Sequence, residues 1–203
     1  ENGFLLVNHL AHALLSGADP LHRVGNVTGD FIKGPLADQG LSPRLCEGVR
    51  HHRQIDRFTD DHPLTRDLRE LFAPPFRRYA SILLDVAFDH FLIQHWQRFA
   101  AEERPVFVDG VYGLLLEHRN ELPKPLAAVA PRLVAHDWLN RCATIDGVDS
   151  TLRGLAGRLQ RANPLAAGAA EINRHAVPVE AGFLEFFPQA LAFAESLSPA
   201  PRS

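Results

Sequence analysis

Charged and imidazole side chains fill most of the segment His51-His52-Arg53-Gln54-Ile55-Asp56-Arg57-Phe58-Thr59-Asp60. We expect this segment to be helical, because Ser42 can cap a helix that begins at Pro43 and carries an apolar stripe. At about 100° per residue that stripe continues into His52 and Asp56. An imidazole and a carboxylate that face a core need a partner, and a metal ion suits both.

Helical spacing also recurs along the rest of the chain, whereas alternating runs rich in Val, Ile and Thr are missing. We therefore predict an all-α fold, a single-domain helical bundle that extends over residues 8–197 of the 203. The other helices are predicted at residues 5–15, 63–72, 78–99, 105–119, 125–141 and 148–162, with a final helix around 183–187. Residues 16–20 and 25–34 are predicted to be turns, and residues 198–203 a frayed tail.

The composition excludes several classes of protein. A net charge of -3 argues against binding nucleic acid by bulk charge, and two cysteines are too few for a disulfide framework. No run approaches the roughly 20 apolar residues of a membrane span, so we expect a soluble, cytoplasmic protein. Met is absent even at position 1, and residues 1–7 are therefore expected to be a non-native or additional segment.

The most apolar predicted helix, at residues 78–99, carries acidic side chains that cannot all face water. An unpaired buried carboxylate is costly, so Asp85 and Asp89 should either bind a cation or form buried salt bridges with Arg. The imidazole of His90 favours the cation. In the glycine-rich turn, Asp30 lies next to Phe31 and is expected either near the core or as the N-cap of a short helix.

The polar groups that we expect to point inward come from separate helices and include no thiolate. They are His12, Asp30, His52, Asp56, Asp85, Asp89 and His90. Carboxylate and imidazole ligands without thiolate favour a catalytic Mn, Mg, Fe or Zn ion, which lowers the pKa of a bound water. Arginines that suit phosphate oxygens lie in the same segments: Arg50, Arg53, Arg57, Arg66, Arg69, Arg77 and Arg78. The combination favours hydrolysis of a phosphorylated substrate.

Five motifs, in order, resemble those of the acyl carrier protein phosphodiesterases. They are Asn8-His9-Leu10-Ala11-His12, Gly25-Asn26-Val27-Thr28-Gly29-Asp30-Phe31-Ile32-Lys33-Gly34, Gly48-Val49-Arg50-His51-His52-Arg53-Gln54-Ile55-Asp56-Arg57-Phe58-Thr59-Asp60, Asp85-Val86-Ala87-Phe88-Asp89-His90-Phe91-Leu92 and Phe183-Leu184-Glu185-Phe186-Phe187-Pro188. Members of this family are helical and distantly similar to the HD-domain metallophosphohydrolases.

The resemblance implies a hydrolase dependent on Mn²⁺ or Mg²⁺ that removes 4'-phosphopantetheine from holo-acyl carrier protein. It implies metal or catalytic roles for the family's acidic and imidazole positions, which fall on His12, Asp30, His52, Asp56, Asp60, Asp85, Asp89 and His90. Among these we expect Asp30, His52, Asp56 and Asp89 to be catalytic. The carrier protein is acidic, so its docking surface is expected at Arg50, Arg53, Arg57, Arg77 and Arg78. His9 departs from the family pattern, in which an apolar residue is usual, as does Cys142, where an aromatic is common.

Two other functions are compatible with the same residues. An HD-type phosphohydrolase could act on nucleotides or another small phosphodiester, because specificity is poorly encoded in metal ligands. A non-catalytic module that binds carrier proteins could instead use its buried acids to pair with Arg.

Overall fold

The computed structural model describes residues 8–197 of the chain. Within that range the chain forms ten α-helices and no β-strand, so the predicted all-α class is confirmed. The helices are α1 (His9–Leu14), α2 (Pro20–Val27), α3 (Pro43–Asp61), α4 (Pro63–Glu70), α5 (Ala80–Gln94), α6 (Arg104–Glu117), α7 (Lys124–Ala135), α8 (Ile145–Arg158), α9 (Gly168–Arg174) and α10 (Ala176–Leu197). The expectations for residues 1–7 and 198–203 lie outside the described residues.

The helix that contains the opening segment begins as its sequence predicts. The Ser42 side chain accepts the N–H of Leu45, and Pro43 occupies the first helical position of α3. The helix ends at Asp61, and α4 begins two residues later at Pro63, where His62 accepts the N–H of Leu64. Helices α3 and α4 therefore have their own start signals, and α3 presents one continuous face to the core.

Two helices were not among those predicted. The turn at residues 16–20 also starts α2, because Asp19 accepts the N–H of His22 and Pro20 is the first helical residue. The small-residue patch at 166–170 similarly leads into α9. Both helices have no more than eight residues, which is too short to show a clear helical period.

Helix α7 is shorter than the predicted 125–141. It ends at Ala135, and Asp137 then adopts a left-handed backbone conformation with φ 46°. The Asp137 carboxylate accepts hydrogen bonds from Tyr112 and Asn140, which holds this break in place. The predicted helix 78–99 is also shortened, to α5, with single 3₁₀ turns on either side.

Helix α5 is the central element, as its apolar sequence predicts, and packs against α1, α4, α8, α9 and α10. Helix α2 lies directly against α3 because Gly25 and Gly48 face each other at the crossing. A Cβ at Gly25 would overlap the Leu45 carbonyl oxygen, and one at Gly48 would overlap the His22 carbonyl oxygen. This close approach brings the polar side chains of α2 within reach of those on α1 and α3. Within residues 8–197, no helix combines the length and apolar character that crossing a membrane requires.

Candidate metal centre

Helices α1 and α3 bring together two histidines and one aspartate. His52 and Asp56 lie one turn apart on α3, and His12 of α1 faces them. The Nε2 atom of His12 lies 3.0 Å from Oδ1 of Asp56, and Nε2 of His52 lies 3.1 Å from Oδ2 of the same residue. One ligand atom from each residue lies within 4.8 Å of the other two. His12, His52 and Asp56 are therefore placed to hold a divalent metal ion.

A buried amide orients the imidazole of His12. The side-chain oxygen of Asn26, on α2, lies 3.0 Å from Nδ1 of His12, and both residues are buried. Nδ1 therefore donates its proton to Asn26, which leaves the lone pair of Nε2 directed at Asp56. Two acceptors then face each other at 3.0 Å, an arrangement that requires a cation or a proton between them.

The ring of His52 is buried, with 1% of its surface exposed, and neither ring nitrogen makes a hydrogen bond of normal geometry. Its Nε2 is directed at two carboxylates, because Oδ1 of Asp30 lies 3.5 Å away and Oδ2 of Asp56 lies 3.1 Å away. A side chain on Gly29 would collide with the ring, so this glycine allows the turn carrying Asp30 to lie against His52. Nε2 of His52 is therefore placed to share a cation with the two carboxylates.

Each charge of the cluster shifts the pKa of its neighbours. Burial lowers the pKa of His52, but the carboxylates of Asp30 and Asp56 outweigh it and raise that pKa to about 9. Burial likewise raises the pKa of Asp56, but His12 and His52 outweigh it and hold the pKa well below its usual range. For Asp30, burial raises the pKa, but the nearby His52 imidazole outweighs burial and the net shift is downward. Both carboxylates are therefore ionised at neutral pH, as metal ligands must be.

The cluster opens onto two cavities. One, of about 280 Å³, is lined by Asn8, Asp60 and Asp85 together with Asp30 and Asp56. Burial, followed by the charges of Asp56, Asp30 and Asp60, raises the pKa of Asp85 well above its usual range. Asp60 is exposed and forms an ion pair with Arg69 at 2.6 Å. The cavity wall is thus acidic, and it is suited to cations rather than to free anions.

The second cavity lies on the other side of the same two aspartates and has a volume of about 380 Å³. Arg53 lines it and donates hydrogen bonds to the carbonyl oxygens of Ile32 and Gly34, at 2.8 and 3.0 Å. Arg53 therefore holds the turn that carries Asp30 against α3. This contact was not predicted from the sequence, which indicated Arg53 only as part of the docking surface.

The structure does not bring Asp89 and His90 into the cluster. The Asp89 carboxylate accepts the backbone N–H of Asn8 at 2.7 Å, at the start of α1, and burial raises its pKa to about 7. The two nitrogens of His90 contact the Cys142 carbonyl oxygen, at 2.7 Å, and the Gln94 side chain, at 2.7 Å. Neither residue lines the cavities at the cluster.

Two buried residues near the cluster were not singled out as functional from the sequence. Asn26 is a fully buried amide within a short helix, and such a group signals a polar contact in the interior. His9 is also buried, and its Nδ1 lies 2.8 Å from the Val27 carbonyl oxygen. Burial lowers the pKa of His9 to about 4, so its ring is neutral and adds no charge beside the cluster.

The protein is therefore a helical bundle with a candidate divalent-metal centre, formed by two buried histidines and a partly exposed aspartate beside an acidic cavity. A family model described as acyl carrier protein phosphodiesterase matches residues 7–190. The chain therefore belongs to the acyl carrier protein phosphodiesterase family. This finding confirms the resemblance of the five motifs.

Curated relatives with the same family name cover almost all of the chain. The acyl carrier protein phosphodiesterase of Serratia proteamaculans is 32% identical over 184 residues, which are 90% of this chain and 95% of the relative. The corresponding protein of Yersinia pestis is 31% identical over 183 residues, or 90% and 94% of the two chains. That of Photorhabdus laumondii is 31% identical over 191 residues, or 94% and 96%. No solved structure matches the chain.

Proposed function

We propose that this protein is a metal-dependent phosphodiesterase that removes 4'-phosphopantetheine from holo-acyl carrier protein and releases the apo protein. The observation that carries the proposal is the cluster of His12, His52 and Asp56, in which one ligand-type atom from each residue lies within 4.8 Å of the other two. Membership in the phosphodiesterase family supports the reaction, and the names of the relatives support the substrate. A carrier-protein substrate also favours a cytoplasmic location.

The proposed ligands of the metal are His12, His52 and Asp56, with Asp30 and Asp85 as the nearest further carboxylates. A set rich in carboxylates and without thiolate favours Mn²⁺ or Mg²⁺. A bound divalent cation would supply a water of lowered pKa and would stabilise negative charge on the phosphodiester oxygens. The geometry does not support Asp89 and His90 as ligands, because Asp89 binds the start of α1 and both nitrogens of His90 are engaged elsewhere.

The protein's own residues have separable tasks in this proposal. Asn26 keeps Nδ1 of His12 protonated, so that Nε2 remains available as a ligand atom. Arg53 holds the turn at residues 32–34 and thereby fixes the position of Asp30. Asp85 lines the cavity at the cluster and is the side chain that we assign to give a proton to the serine oxygen that leaves the phosphodiester.

The proposed docking surface for the acidic carrier protein consists of the exposed arginines beside the cluster. Arg50, Arg57 and Arg78 are exposed and form no ion pair with a carboxylate in the part of the chain that the structure describes. Arg77 is exposed but paired with Glu70. The first three side chains are therefore the ones available to a partner, and exposed charges of this kind act mainly on the rate of association.

Mass analysis of the carrier protein tests the proposal directly. Purified protein is incubated with holo-acyl carrier protein and Mn²⁺, and the product is weighed with and without chelator. We expect loss of the 4'-phosphopantetheine mass in the presence of metal only, and no loss with Asp56→Asn. The matched control is Asp61→Asn, an exposed acid on the same helix that pairs with Arg66 at 3.0 Å. An intact holo-protein together with turnover of nucleotides would overturn the proposed substrate.

A further inference from the structure

A third cavity, apart from the two at the metal centre, lies between the end of α7 and α8. It has a volume of about 550 Å³, which is in the range of small-molecule sites. Three arginines, Arg132, Arg141 and Arg158, line it together with His136 and Trp138, and two aliphatic side chains complete the wall. None of these residues lines either cavity at the cluster. The site therefore needs an explanation of its own.

Two of the three arginines of this cavity lack a carboxylate partner. Among the described residues, neither Arg132 nor Arg141 forms an ion pair with a carboxylate. The acid nearest in sequence, Asp137, is engaged, because its carboxylate accepts hydrogen bonds from Tyr112 and Asn140. Guanidinium groups around one cavity repel each other unless an anion lies between them. Their planar donor pattern matches the oxygens of a phosphate group.

Trp138, one of the residues that line the cavity, carries a buried N–H donor without an acceptor. Trp138 is 5% exposed, and its Nε1–H has no hydrogen-bond partner. A buried Trp N–H normally finds an acceptor, so the chain itself leaves this group unsatisfied. The ring is held edge-on against His9, with centroids 5.2 Å apart, so the indole is fixed rather than free to turn towards another group.

We propose that this cavity is a binding site for a small organic phosphate. The arginines bind the phosphate oxygens, and the indole and the aliphatic side chains of Val129 and Leu133 contact the organic part. The site is independent of the metal centre and of the proposed reaction, since the two share no lining residue. Arg132 lies on α7, Arg158 on α8 and Arg141 in the turn between them, so three separate segments direct arginines at one volume of small-molecule size.

Titration with butyl phosphate tests the site in the full-length protein. The chain contains two tryptophans, and Trp96→Phe leaves Trp138 as the only indole reporter. Chelator is present throughout, so that phosphate cannot bind through a metal ion, and ionic strength is held constant. We expect a saturable change in Trp138 fluorescence and a matching heat of binding in the protein that retains Trp96. The calorimetric arm remains valid if Trp96→Phe does not fold, because it needs no substitution.

Charge-neutral variants identify the binding groups. Arg132→Gln and Arg141→Gln should each weaken binding by at least about tenfold, because each removes a charge-assisted contact. The matched control is Arg153→Gln, an exposed arginine on α8 that pairs with Asp149 and should not change binding. Absence of saturable binding by both methods, or equal binding in the double variant, would overturn the proposal. Binding of oligoglutamate but not of butyl phosphate would instead identify an acidic protein surface as the occupant.

Discussion

The His12–His52–Asp56 cluster and the Asp89–His90 pair contain the same kinds of side chain, yet their polar atoms are satisfied differently. Both nitrogens of His90 have partners within the protein, and Asp89 binds the backbone at the start of α1. In the cluster, by contrast, Nε2 of His52 is buried without a hydrogen bond and faces two carboxylates. On the proposed assignment, burial of an imidazole beside an acid does not by itself define a metal ligand. A ligand atom must also remain available.

The largest expected effect is on the cluster itself. Asp56→Asn should lower turnover of holo-acyl carrier protein by more than about 100-fold, because changes outside the ligand shell already cost about 10–100-fold. The measurement is the initial rate at saturating Mn²⁺, with Asp61→Asn as the control on the same helix. Activity of a folded Asp56→Asn protein close to that of the wild type would remove the distinction between the two regions.

A smaller effect is expected when the orientation of a ligand is disturbed. Asn26→Ala removes the acceptor at Nδ1 of His12 and should reduce activity or metal affinity by about 10–100-fold. The Mn²⁺ concentration for half-maximal activity should rise. Asn26→Asp keeps an acceptor at that position and should retain more activity than Asn26→Ala. An unchanged metal dependence in folded Asn26→Ala would show that the amide serves packing alone.

The Asp89–His90 pair should respond in stability rather than in chemistry. His90→Leu removes the donor to the Cys142 carbonyl oxygen, so the free energy of unfolding should fall by about 1–3 kcal/mol. Denaturant unfolding measures this change. The Mn²⁺ dependence of activity should remain that of the wild type, and a loss of bound metal in this variant would place His90 among the ligands after all.

The Asp89 carboxyl also affects the pH dependence of stability. The folded pKa of Asp89 is raised to about 7, above the ordinary value near 3.9, so the folded state retains a proton that the unfolded state has lost. This group therefore makes stability fall as pH rises from about 4 to about 7. Asp89→Asn should flatten the curve there by up to about 1.4 kcal/mol per pH unit. The free energy of unfolding is measured in urea at each pH. Parallel curves against pH for the wild type and Asp89→Asn would contradict the raised pKa of Asp89.

The sequence predicted the parts of the cluster that depend on local spacing. The Ser42 cap and Pro43 define the start of α3, and the four-residue interval then places His52 and Asp56 on one face. The predicted helical class follows from the same periodicity. Predicting these features requires only residues that lie close together in the chain.

Contacts between distant segments could not be predicted in the same way. Asn26 lies on α2, which is too short to show a period, and its contact with His12 depends on the glycine-mediated crossing of α2 and α3. The partner of His90 lies 52 residues away in a turn, so the sequence could not show that its ring is already engaged. Adjacent residues on a helix point about 100° apart, so Asp89 and His90 face different neighbours.

Metal binding to the purified protein tests the central claim most directly. Wild type, His52→Ala, Asp56→Asn and His90→Leu are dialysed to equilibrium against Mn²⁺, and the metal content of each folded protein is then measured. We predict that wild type and His90→Leu bind Mn²⁺, and that His52→Ala and Asp56→Asn lose most of it. Equal metal content in all four proteins, or none in the wild type, would contradict the assignment of His12, His52 and Asp56 as the metal centre.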